Sequence, residues 1–129
     1  MLRAHLQGLL ADTPWQAQAR TVAAQALERS LVLAQQVADA SGGASDAAAR
    51  QAASALYHAS TAIAMAWEAG RTASARRMRM AQLVIRHRLL SQDPLAIDAD
   101  ADPAWLPALL EPGAVAEPPS AVDLLSAAG

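Results

Sequence analysis

Apolar residues along this chain recur at helical spacing from the first turn onward. Leu2, Leu6, Leu9 and Leu10 fall on one face of a short helix predicted over Met1 to Ala11. Asp12-Thr13-Pro14 then reads as a helix start. Thr13 is the expected N-cap, and Pro14 suits the first helical position, where the N–H it lacks would have no partner. The second helix is predicted over about Pro14 to Ala40, with Ala23, Leu27, Leu31, Ala34, Val37 and Ala38 as its apolar stripe. Gln25, Glu28, Arg29, Gln35, Gln36 and Asp39 make the other side, and Val32, which interrupts them, is expected at the surface.

Ser41 to Ser45, SGGAS, is a loop, and Ser45 or Asp46 can cap the helix after it. That third helix, about Asp46 to Ala69, carries Leu56, Ile63 and Trp67 at helical spacing, with His58, Ala62, Met65 and Ala69 beside them. Beyond Asp46 at its start only Arg50 and Glu68 are charged, so it is expected to be central in a bundle or covered by a second chain. Gly70 suits the left-handed position after a helix end, and Thr72 the cap of a fourth helix over about Ala73 to Ser91. Met78, Ala81, Ile85 and Leu89 form the fourth helix's stripe, broadened by Met80 and Val84, while Arg76, Arg79 and Arg86 lie at the opposite edge. A turn this short makes the third and fourth helices antiparallel neighbours.

The pattern fades after Gln92. Asp93-Pro94 breaks the helix, Asp98, Asp100 and Asp102 repel one another, and only Pro103 to Leu110 has the makings of another short helix. Pro112, Pro118 and Pro119 keep the chain beyond it extended. The expected organisation is a helical domain over residues 1–95 and an acidic, proline-containing tail over 96–129. The fold class is all-α, an up-and-down antiparallel bundle of about four helices.

Composition strengthens the helical reading. Alanine is the commonest residue, Phe is absent, and strand-favouring residues are scarce. A core built from alanine buries little area per residue and depends on a few Leu, Ile, Met and Trp anchors. With no cysteine, disulfides, thiolate metal sites and cysteine nucleophiles are excluded. No run of 18 apolar residues occurs and the N-terminal leucines lack a secretory pattern, so the expected setting is the cytoplasm. The net charge of -2 conceals a division: Met1 to Gln92 holds ten Arg against five acids, while Asp93 to Gly129 holds seven acids and no base.

One stretch carries a family likeness. ALYHASTAIAMAWEAGR followed by RRMRMAQLVIRHRLLSQDPLA resembles the end of the C-terminal helical-bundle domain of acyl-CoA dehydrogenases, most clearly over Ala52 to Ala96. In that family the domain is a four-helix bundle that covers the flavin and supplies much of the tetramer contact. The family's other two domains, which build most of the flavin and acyl-CoA pocket, have no counterpart in these residues. Glu68-Ala69-Gly70 superficially matches the family's glutamate-glycine base motif but stands at a helix end rather than in the expected loop, so the base role is not carried over.

The resemblance implies an interaction or oligomerisation module without catalysis of its own, acting as a homodimer or with a larger flavoprotein. FAD would enter only through that partner, in an acyl-CoA dehydrogenase-like assembly, and Leu56, Ile63, Trp67, Met78 and Ile85 are the expected interface. The competing reading is a small regulatory protein that binds a phosphate-bearing ligand or nucleic acid through the Arg-rich fourth helix, with Arg76, Arg79 and Arg86 as candidate contacts. An acidic tail and the lack of a nucleic-acid-binding motif weigh against nucleic acid. His5, His58 and His87 lack metal-ligand spacing, although His58 and His87 are placed to face each other. No nucleophile-base set, phosphate loop or dinucleotide fingerprint is present, so no catalytic residue is assigned. Trp15, Trp67, Trp105 and Tyr57 are read as packing anchors.

Overall fold

The computed structural model describes residues 1–91 and Leu95. Those residues form four α-helices, α1 (Leu2–Ala11), α2 (Ala17–Ala38), α3 (Asp46–Thr72) and α4 (Ala75–Val84), and a terminal π-turn, Ile85–Leu89. The tail from residue 96, with the expected short helix at 103–110 and Trp105, lies outside the described residues.

Each helix packs against its sequence neighbour, and α3 touches every other element. The pairing is antiparallel throughout. Between α2 and α3 one cleft joins Ala26, Leu33 and Gln36 to Ala55, Ser54 and Gln51. Between α3 and α4 the grooves pair Met65 with Met80 and Thr61 and His58 with Val84 and His87. The result is the all-α up-and-down bundle that the periodicity dictates.

Leu6 and Leu10 anchor α1. Thr13 ends this helix rather than starting the next: its hydroxyl donates to the Leu10 carbonyl at 2.7 Å. This corrects the expectation of an α2 starting at Pro14, because α2 begins at Ala17 with Gln16 as N-cap. The physical reason is Trp15. An extended linker lets its indole enter the core, where it is 1% exposed and its Nε1–H donates to the Met78 sulfur at 3.1 Å.

Ser45 caps α3, accepting from the Ala48 amide at 3.2 Å. Along α3, Ala59, Ala62, Ala66 and Ala69 are buried at helical spacing, so neighbouring axes approach closely. Trp15, Leu27, Ile63 and Ile85 are the largest fully buried side chains and fill the space between the alanine surfaces.

The turn after α3 corrects two expectations. Gly70 remains helical, since α3 continues to Thr72, and the left-handed position is taken by Ala73 with φ of 51°. A Cβ at Gly70 would stand 2.9 Å from Pro14 Cδ, so the glycine there serves close approach of helix to linker. Thr72 does not cap α4. Its hydroxyl donates back to the Glu68 carbonyl at 2.8 Å, and Ser74 is the cap, accepting from the Arg77 amide. The fourth helix also stops being α-helical earlier than its pattern indicates. From Ile85 the turn widens, closed by the Leu90 N–H donating to the Ile85 carbonyl at 3.0 Å.

Candidate functional site

Of the residues expected at an interface, Ile63, Met78 and Ile85 are occupied in the chain's own core and offer no surface to a second chain. Leu56 and Trp67 are half-buried. Trp67 takes part in a small polar latch, where its Nε1–H donates to Asp12 Oδ2 at 3.0 Å and Arg71 donates to the same oxygen at 3.1 Å. The Arg71 guanidinium also lies over the Trp67 ring, 4.8 Å from its centroid. Through the Trp67 and Arg71 hydrogen bonds, the Asp12 carboxyl is held below its ordinary pKa. The latch ties the end of α1 to the end of α3, and its role is structural. Tyr57, expected as an anchor, is instead exposed and makes an edge-on aromatic contact with His58, ring centroids 5.3 Å apart.

The candidate arginines do not gather into one patch. Arg76 is exposed near the α4 N-terminus, Arg79 is half-buried and donates to Gln82 Oε1 at 3.3 Å, and Arg86 is turned into the interior. Helical spacing placed Arg86 on the polar edge. The buried face is wider than the apolar stripe: Gln82 of α4 and Arg86 of the π-turn are buried along with Met78, Ala81 and Ile85. Glu68 sits inside α3 and forms an exposed ion pair with Arg77 at 2.5 Å, across the α3–α4 hairpin. That partner fits a solvated charge, with no loop around it to position a base.

Two surface regions remain. The first is the outer seam of the α3–α4 hairpin. There Thr61, Met65, Leu83 and Val84 line a groove of about 400 Å³ between His58 and His87, with Tyr57 and Arg88 at its edge. The seam continues past Met65 to Met80, into a smaller cleft bounded by Ser74, Arg76 and Arg77. Both histidines thus reach one groove, yet no group of three potential metal ligands forms among the described residues.

The second region is a cleft of about 460 Å³ where α2, α3 and the π-turn meet. Arg29 and Gln36 reach it from α2, Gln51 and Ser54 from α3, and Arg88 from the π-turn. Helical spacing alone places Arg29 on the polar side of α2. The signal that joins it to Arg88 is tertiary, since 59 residues separate the two in the chain. Among the described residues no helix is long and apolar enough to cross a membrane. No family model, curated protein or solved structure matches the chain significantly, so its architecture and these two surfaces carry the functional reading.

Proposed function

We propose that the chain is a helical interaction module without catalysis of its own, working through oligomerisation with itself or with a larger flavoprotein. The observation that supports this reading is the half-exposed apolar seam on the outer α3–α4 face, running from Tyr57 past Met65 to Met80 and Val84. Methionines suit such a surface because their flexible thioethers adapt to a partner's shape. The resemblance of this hairpin to the acyl-CoA dehydrogenase C-terminal domain supports the same reading, because there the domain packs against other domains and subunits. A two-fold pairing of seams is the simplest arrangement, since one patch then covers itself. Any flavin would belong to the partner, with a cytoplasmic setting in keeping with the absence of cysteine.

Light scattering on the purified chain at micromolar concentration, with Met65→Glu beside it, tests the reading. A dimer or larger species that Met65→Glu dissociates while helical content is kept is the expected result. The same preparation at native expression level is examined for a co-purifying chain and for flavin absorbance. A monodisperse monomer with neither companion would refute the proposal.

A further inference from the structure

The cleft between α2, α3 and the π-turn has a composition that a merely solvated surface does not require. Arg29 and Arg88 come from different elements into the same concavity, and neither forms an ion pair or hydrogen bond with a described residue. No described carboxylate lines it. Two guanidinium groups lining one cleft with no described carboxylate beside them add their positive fields there. Gln36, Gln51 and Ser54 add donors that are likewise not engaged within the described fold. Ser30 is different, because its hydroxyl already donates to the Ala26 carbonyl at 2.8 Å.

The rest of the lining is apolar, with Val32, Leu33 and Leu89 prominent. A volume of about 460 Å³ falls in the range of small-molecule sites, which run from roughly 300 to 1,000 Å³. The π-turn contributes directly, since Arg88 and Leu89 both belong to it. Single π-turns in helices are frequent at functional sites.

We propose that this cleft binds a small phosphate monoester with an apolar substituent, its phosphate between Arg29 and Arg88 and its apolar part against Val32, Leu33 and Leu89. The phosphate class follows from charge. A monoester carries about −1.5 to −2 at neutral pH, matching two guanidinium groups, whereas a carboxylate matches one. Planar guanidinium forks also pair with phosphate oxygens two at a time. The carboxamides of Gln36 and Gln51 and the Ser54 hydroxyl then donate to the remaining oxygens. This site lies apart from the α3–α4 seam except at Arg88, which borders both, so it stands or falls independently of oligomerisation.

The test is an NMR titration of the full chain at constant ionic strength with phenyl phosphate, inorganic phosphate and benzoate. Phenyl phosphate is expected to bind most tightly and benzoate most weakly, with saturable shifts concentrated at residues 26–36, 51–55 and 88–89. Arg29→Gln and Arg88→Gln are each expected to weaken phenyl phosphate at least tenfold. Arg71→Gln, which removes the same charge at the other end of the bundle, is expected to leave it within twofold. Both cleft arginines are exposed, so their replacement leaves the fold intact, and a helical circular-dichroism spectrum verifies this. Shifts that never saturate, benzoate binding as tightly as phenyl phosphate, or equal weakening by Arg71→Gln would each overturn the assignment.

Discussion

The two ends of the bundle are built from the same alanine-rich sequence and differ in what covers the alanines. At the end where α1, the α2 N-terminus and the α3–α4 turn meet, Trp15, Leu27 and Ile63 lie over Ala19, Ala23, Ala62 and Ala66, and all are essentially excluded from water. At the end near the Ser41–Ser45 loop, α2 has no buried residue beyond Ser30, and the α3 stretch before Ala59 buries only Ala52. An alanine face is neutral: it becomes core when a large side chain from elsewhere lies on it, and surface when none does. The closed end therefore carries most of the stability, and the open end holds the arginine-lined cleft.

The largest expected effect tests the closed end. Trp15→Ala removes its biggest anchor and the contact with the Met78 sulfur, and should cost about 3–5 kcal/mol in a urea titration. Ala53→Leu, an enlargement on the exposed side of the open end, should stay within about 0.5 kcal/mol. If the two shifts were comparable, the contrast between the ends would be lost.

The junction of α3 with the Pro14 linker makes a finer test. Gly70→Ala gains about 1 kcal/mol of helix propensity but sets a methyl 2.9 Å from a proline ring that has little room to move. Net destabilisation of about 1 kcal/mol is expected, turning to stabilisation when combined with Pro14→Ala. Gly70→Ala stabilising on its own would show that the approach is looser than described. Three residues on, Ala73→Gly should relieve the left-handed strain of φ 51° and stabilise by about 0.5 kcal/mol, after the added freedom of the unfolded chain is subtracted.

The smallest effect is expected at the exposed latch on the closed end. The Asp12 pKa is depressed on folding by Trp67 and Arg71, so near and below its ordinary value of 3.8 the unfolded state binds more protons than the folded state. The contribution is present above that value and is lost as pH falls through the lower folded pKa. Unfolding curves from pH 5 downward should therefore fall more steeply for the wild-type chain than for Asp12→Asn. Parallel curves would mean that the latch charge does not contribute.

How much could be read in advance differs from residue to residue for physical reasons. Ser45 was legible as a cap because capping is a contact across three residues. Val32 was legible as surface because it sits among polar neighbours on its own helix. Gly70 was misread because its absent side chain answers to Pro14, 56 positions earlier in the chain. Thr13, Thr72 and Ser74 all have the chemistry of caps, and only the route of the backbone selects which one caps a helix. In the same way, helical spacing locates Arg86 on its own helix but cannot show that the fold buries it.

What the sequence determined by itself is local: helical periodicity, high helix propensity, the absence of cysteine chemistry and the unequal distribution of charge. These follow from interactions within a turn or two of chain, or from composition alone. The tertiary structure decided which alanines became core, why α3 needs a glycine where it passes Pro14, and that Arg29 and Arg88 share a cleft. The reason is that an alanine or arginine side chain is compatible with many environments, and its environment is set by elements far away in sequence.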